Sequence, residues 1–282
     1  MPRGMGLQRA REACGMPTLP VYELFAIRYA EHKERTASEN FIGGDPHDGP
    51  MPLDYFVWVI RGDGATYLVD TGFNVETAAK RNRTVLRSPV EGLSFLDIAA
   101  SEIGDVILTH LHYDHAGNVD LFPNARFHLQ DKEMLYATGR FMTHARLRAP
   151  FDADQVGLLI HEVYRDHVYF HDGDWELASG ITVHLIGGHT LGLQIVRVHT
   201  ARGWVVLASD ASHLYANFEQ QRPFPIVHDV GDMIEGYGRM RDLADSAQHI
   251  IPGHDPAVMT RYPAASAQSA GVCVRLDRDP IQ

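Results

Sequence analysis

DVILTHLHYDHAGN, residues 105–118, passes from a β-branched apolar run straight into a cluster of polar side chains. The apolar run Val106-Ile107-Leu108 predicts a short buried strand. Four residues of metal-ligand type follow within six positions: His110, His112, Asp114 and His115. A loop at the carboxyl end of a strand can turn several side chains toward one point. His110 and His112 are two apart, so in an extended segment they share a side, and Asp114 and His115 then face a neighbouring point. A single tetrahedral ion rarely takes four donors from so short a stretch, so the spacing predicts two metals. One His-x-His pair alone is commonly incidental. The whole cluster directly after a buried strand is far more specific.

Zinc takes about four ligands per ion, so two ions need more donors than this loop supplies. Three lie downstream, each at a predicted strand end beside small residues: His189 in IGGHT, Asp210 in LASD and His254 in IPGHD. Gly187, Gly188 and Gly253 permit sharp turns or close backbone approach there. Imidazole and carboxylate without thiolate favour two zinc ions per chain, with iron, manganese or cobalt compatible. A carboxylate can bridge two ions with its two oxygens, and Asp210 is the best placed for that. Asp70, in Asp70-Thr71-Gly72 at another strand end, is a candidate to orient a histidine ligand.

Outward from this cluster, LPVYELFAIRYA (19–30) reads as a strand, followed by a Gly/Pro/His-rich loop from about Gly43 to Pro52. YFVWVI (55–60) and ATYLVD (65–70) read as a hairpin closed by RGDG. NVETAAKRN begins a helix, and LSFLDIAASE (93–102) has helical spacing that ends near Gly104. ARFHLQ (125–130) is a strand, and Asp131 to about Arg165 is mostly helical, with Met134, Leu135, Phe141 and Met142 as apolar positions. ITVHLI (181–186), LQIVRV (193–198) and GWVVLA (203–208) are further strands, with a last short one near Ile250. Strands first, helices between and strands again predict an α/β architecture of two packed sheets covered by helices. Residues 1–18 read as an N-terminal tail and 19–282 as a single domain, with no internal repeat or low-complexity block.

Of the 282 residues 45% are hydrophobic, enough for a sizeable core. The formal net charge of −11 argues against nucleic acid or an anionic membrane as the main partner. Cys14 and Cys273 are the only cysteines, which excludes a disulfide framework or thiolate metal site and fits a reduced, cytoplasmic compartment. The opening MPRGMGLQRAREACGMPTLP carries positive charge without the apolar run of a signal peptide. No stretch reaches the roughly eighteen apolar residues of a membrane span.

His110-x-His112-x-Asp114-His115, followed by His189, Asp210 and His254, resembles the metallo-β-lactamase superfamily, from about Tyr22 to Pro263. Asp70-Thr71-Gly72 is similar to that family's early strand-end motif. The resemblance implies an αββα sandwich of two mixed β-sheets flanked by helices, with the metals at one edge. It also implies that His110, His112 and His189 hold one ion, that Asp114, His115 and His254 hold the other, and that Asp210 bridges them. β-Lactamases of this fold usually lack the bridging aspartate, and flavodiiron oxidoreductases carry Glu where this chain has His112. Glyoxalase-type thioesterases commonly add a basic C-terminal extension, and tRNA-processing nucleases a basic RNA-binding arm. Here about twenty-eight residues of little basic character follow His254. Overall length, SDASHLYANFE (209–219) and IPGHDPAVMTRYP (251–263) most resemble the N-acyl-homoserine lactonases and related pyridoxolactone hydrolases.

That resemblance implies a dinuclear-zinc hydrolase that opens a small-molecule lactone through a hydroxide shared by two ions, whose charge brings the pKa of water toward neutrality. Asp114 would pass a proton to the leaving alkoxide. Many of these lactonases place a tyrosine three residues after the bridging aspartate. Here that position is His213, a candidate donor to the carbonyl oxygen, and Tyr215 lies two further on. Met51, Leu53, Phe56, Phe141 and Met142 are candidates for an acyl groove, although apolar residues at such spacings more often belong to a core. The alternatives are another ester, thioester or cyclic amide hydrolase on the same metals, and a non-catalytic metal-binding protein. The complete donor set argues against the latter. A homodimer is compatible with the sequence.

Overall fold

Leu53–Gly62 is apolar at most positions, the pattern of a strand covered on both faces. The computed structural model describes residues 19–281 and shows both covers. Phe56, Trp58 and Ile60 point toward a second sheet, while Tyr55, Val57 and Val59 point toward helices. The expected tail at 1–18, with Cys14, lies outside the described residues.

The first sheet is built on β1 (Glu23–His32), β2 (Leu53–Gly62) and β3 (Ala65–Val69), paired antiparallel in sequence order. Asp63 and Gly64 join β2 to β3 with φ of 52° and 76°, the two-residue connection whose twist suits a hairpin. The short β4 (Thr84–Val85) pairs with β1. β5 (Asp105–Ile107), β6 (Arg126–Gln130) and β7 (Val168–His171) extend the sheet in parallel from β3. The second sheet holds β8 (Trp175–Ala178), β9 (Ile181–Leu185), β10 (Gln194–Thr200), β11 (Gly203–Ser209) and β12 (Ile250–Pro252) in the spatial order β12-β11-β10-β9-β8. β13 (Cys273–Arg275) returns to the first sheet beside β1.

Helices cover the outer faces. Over the first sheet lie α1 (Val75–Arg81), α2 (Pro89–Ser94), α3 (Asp131–Thr138), α4 (Ala145–Arg148) and α5 (Ala153–Val163). Ala78, Leu93, Tyr136 and Leu159 bury their side chains there. Beside the second sheet α6 (Tyr215–Glu219), α7 (Val230–Leu243) and α8 (Ala257–Arg261) supply Phe218, Met233, Tyr237 and Val258 to the core. This is the αββα sandwich of two mixed sheets that the sequence predicts. Among the described residues no helix is long and apolar enough to cross a membrane.

Three local expectations change. The helix expected over 93–102 lies earlier, at Pro89–Ser94, because Ser88 and Glu91 form a reciprocal capping box and Pro89 occupies the first turn. Asp97, at φ 58°, is then in a left-handed turn and cannot continue it. The helical stretch over 131–165 is broken at Gly139 and Pro150 into α3, a 3-10 turn over Arg140–Thr143, α4 and α5. The strands β4, β7, β8 and β13, of two to four residues each, are additional.

The topology decides where the site forms. Val69 pairs with Ile107 in the parallel β3–β5 ladder, so Asp70 and Thr109 leave the sheet side by side. β9, β11 and β12 run in one direction, since β10 is antiparallel to both β9 and β11 while β12 is parallel to β11. The segments carrying His189, Asp210 and His254 therefore all leave the second sheet at the same edge.

Candidate metal centre

His110, His112, His189 and Asp210 bring one ligand atom each to within 4.8 Å of one another, Asp114, His115 and His254 form a second such group, and Asp210 and His254 also gather in this way with His213. All of these residues are buried. Asp210 lies between the first two groups with one oxygen toward each. Its Oδ1 is 3.2 Å from His115 Nε2 and 2.9 Å from His254 Nε2. Its Oδ2 is 3.2 Å from His189 Nε2 and 3.8 Å from His110 Nε2.

The far side of each ring is tied down. His254 Nδ1 donates to the Asp54 carbonyl at 2.9 Å and His189 Nδ1 to the Ile226 carbonyl at 2.7 Å. His115 Nδ1 donates to Asp70 Oδ2 at 2.7 Å. His110 Nδ1 donates to Thr109 Oγ1 at 3.1 Å, and that hydroxyl in turn donates to Asp70 Oδ2 at 2.8 Å. Each of these acceptors fixes the tautomer, so four Nε2 lone pairs point inward. His112 presents Nδ1, 2.8 Å from His189 Nε2. Among the described residues His115 Nε2 and Asp210 Oδ1 are buried without a hydrogen-bond partner. Converging lone pairs on imidazole and carboxylate, held without protons between them, are the donor set of a borderline-soft divalent cation. The residues present therefore fit a metal.

Burial pushes His110 and His112 well below the ordinary imidazole range. At His115 and His254 burial also acts downward, but the carboxylates, Asp210 first, outweigh it and raise both, a pull toward positive charge that a cation would satisfy. At Asp210 burial acts upward, but His254, His115 and His213 outweigh it and hold the carboxyl well below the usual range. The backbone around the donors is tightly specified. Gly188 has φ +80°, and a Cβ there would lie 2.6 Å from the Met233 nitrogen. A Cβ on Gly253 would lie 2.6 Å from the Ser209 carbonyl oxygen. Asp70 and Ser209, beside the donors, sit at φ 63° and 45°, conformations stored at few non-glycine positions.

Glu133 of α3 was not legible from sequence. Fully buried, it accepts from Leu111 N–H at 2.9 Å, Thr190 Oγ1 at 2.7 Å and Gly192 N–H at 3.0 Å. It thereby ties the loop of His110 and His112 to the loop of His189.

The centre forms the floor of a cavity of about 650 Å³, a size suited to a small-molecule ligand. Of the five apolar groove candidates only Leu53 lines it. Phe56 belongs to the even-numbered face of β2 and packs between the sheets. Phe141 and Met142 pack on the helix-side core, and Met51 lies outside the lining. Tyr55, Tyr113, Arg35, Arg81, Arg83 and Arg146 line the cavity instead. Tyr113 sits inside the HLHYDH string and Arg81 and Arg83 in the RNR that ends α1, the nearest that sequence comes to signalling them. His213 also faces the cavity. Its Nε2 is 2.8 Å from Asp210 Oδ2, its ring stacks on Phe224 at 3.5 Å, and burial pushes its imidazole down to about 3. Tyr215 is outside the lining, under the Arg261 guanidinium.

A family model described as the metallo-beta-lactamase superfamily matches residues 51–275. The N-acyl homoserine lactonase AiiB of Rhizobium rhizogenes is 28% identical over 216 residues, 70% of this chain and 78% of its own. A solved structure described as a quorum-quenching N-acyl homoserine lactone lactonase aligns with a TM-score of 0.70 at 22% identity, over 86% of this chain and 95% of its own. AidC, described as a dizinc quorum-quenching lactonase, aligns with a TM-score of 0.67 at 17% identity, over 85% of this chain and 90% of its own. With the family match spanning most of the chain and both sheets in the expected order, this hydrolase belongs to the metallo-beta-lactamase superfamily.

Proposed function

We propose that the protein hydrolyses N-acyl-homoserine lactones or a related lactone on two zinc ions. His110, His112 and His189 would hold one ion, Asp114, His115 and His254 the other, with Asp210 between them. Iron, manganese or cobalt suits the same donors. The observation that carries this reading is Asp210 on the cavity floor, with one carboxylate oxygen toward each histidine group. Similarity to AiiB and to the quorum-quenching structures supports a lactone as the substrate class.

When bound, the two ions supply a water nucleophile at neutral pH and polarise the carbonyl. The chain's own residues do the rest. The Asp70 carboxylate and the carbonyls of Asp54 and Ile226 keep three imidazoles in one orientation, so little reorganisation accompanies the reaction. Asp114, which lines the cavity with Oδ2 3.7 Å from both His115 and His254 Nε2, is the group we assign to deliver a proton to the leaving alkoxide. His213 Nε2 holds Asp210 through Oδ2, the oxygen that also faces His189 and His110.

The test sets metal-loaded protein against lactones of varied ring and acyl tail, with matched esters and thioesters. Ring opening of lactones with the higher kcat/KM is expected. Preferential thioester cleavage would move the activity to another branch of the family. No hydrolysis of any substrate, with both metals bound, would leave a metal-binding protein.

A further inference from the structure

We propose that the substrate carries an oxyanion, a carboxylate or phosphate, at the end remote from the scissile carbonyl. The proposal rests on the hydrolase reading of this same cavity and refines its substrate class. Arg35, Arg81, Arg83 and Arg146 line the cavity together. Their hydrogen bonds among the described residues all go to neutral partners. Arg35 binds the Asn40 side chain and the Glu39 carbonyl. Arg81 binds the carbonyls of Ala149 and Phe151. Arg83 binds the phenols of Tyr55 and Tyr113, the His32 ring and the carbonyls of Arg81 and Asn82. Arg146 binds the Pro225 carbonyl.

Among the described residues the only carboxylates in the lining are Asp114 and Asp210, both in the candidate metal centre. Arg35 is only 8% exposed, and Arg81 and Arg83 are half-buried. Guanidinium groups partly withdrawn from water without a paired carboxylate are costly, and Arg35, Arg81 and Arg83 are three of these in a chain whose net charge is −11, the carboxylate of Glu39 near Arg35 being turned to Thr36. A guanidinium offers a planar fork that matches carboxylate or phosphate oxygens and gains nothing from an alkyl tail.

The spacing suits one ligand spanning both ends. The Tyr55 ring lies steeply inclined to the His254 ring with their centres 5.0 Å apart, and its hydroxyl receives Arg83 Nε–H at 2.8 Å. Tyr113, between His112 and Asp114 in sequence, lies 3.9 Å beneath the Arg81 guanidinium. The Arg83 guanidinium thus stands one aromatic ring away from the metal donors.

Two measurements on the metal-loaded protein test this. In calorimetric titration hexanoate and adipate share one carboxylate that the metals can take, and adipate alone offers a second. Adipate is expected to bind about tenfold tighter, a gap of about 1.4 kcal/mol, and the gap should shrink with added salt. It should narrow in Arg146→Ala, an exposed position, recover in part in Arg146→Lys, and narrow further in Arg83→Gln/Arg146→Ala, which keeps Arg35 and Arg81. In the kinetic arm, lactones with equal tails ending in methyl, carboxylate or phosphate are compared by kcat/KM, and the better acidic tail identifies which oxyanion is read. Equal binding of hexanoate and adipate, or a gap unchanged in the arginine variants, would overturn the proposal. Failure to hydrolyse any of the lactones would instead sink the lactone reading, and the titrations would still decide whether the wall binds an anion.

Discussion

His213 Nε2 lies 2.8 Å from Asp210 Oδ2, and a carboxylate oxygen can only accept, so the ring proton sits on Nε2. Nδ1 of the neutral ring is then a lone pair, and it has no partner among the described residues. Donation to a substrate carbonyl, the role its place in the sequence suggests, needs the opposite tautomer. We therefore assign His213 to positioning Asp210. His213→Ala is expected to weaken metal binding by about 10- to 100-fold, the scale for losing a side chain that orients a ligand, as read by competition with a chelator. Unchanged metal affinity with kcat lower by on the order of 10²-fold would restore the carbonyl donor. The seven donors could be picked out in the sequence because each is a chemically marked residue at a strand end, often beside glycine. The arginine wall could not. Arg35 and Arg146 lie far apart in the chain, and nothing local distinguishes them from solvated arginines.

At the scale of elements, α3 ties the ligand loops together through one side chain. Glu133 Oε1 takes Leu111 N–H, while Oε2 takes Thr190 Oγ1 and Gly192 N–H. An amide cannot serve both backbone donors, since either orientation sets its NH2 against one of them. Glu133→Gln is therefore expected to cost about 1–3 kcal/mol of stability, the scale for a buried unsatisfied group, and to loosen metal binding, because both ligand loops hang on this carboxylate. Thermal unfolding and chelator competition would reveal it. A variant matching wild type in both would show that the loops hold themselves. Long elements were legible from periodicity, as in β1, β2 and the β9–β11 series. β7, β8 and β13 were not, because unlike the equally short β5 and β12 they lack a run of adjacent β-branched residues and rely on neighbours in the sheet. The start of α2 was written in Ser88-Pro89 and Glu91, a stronger signal than the apolar spacing that follows.

Across the whole molecule, two sheets each deliver their donors to one edge. The first sheet contributes His110, His112, Asp114 and His115 after β5, and the second contributes His189, Asp210 and His254 after β9, β11 and β12. Neither sheet alone supplies both groups, so the metal centre also joins the halves of the sandwich. Its central claim is a count. Metal-free protein titrated with zinc, with lactone hydrolysis followed at each addition, is expected to gain activity up to a plateau at two equivalents per chain. A plateau of full activity at one equivalent, with no second ion bound, would contradict the two-metal centre.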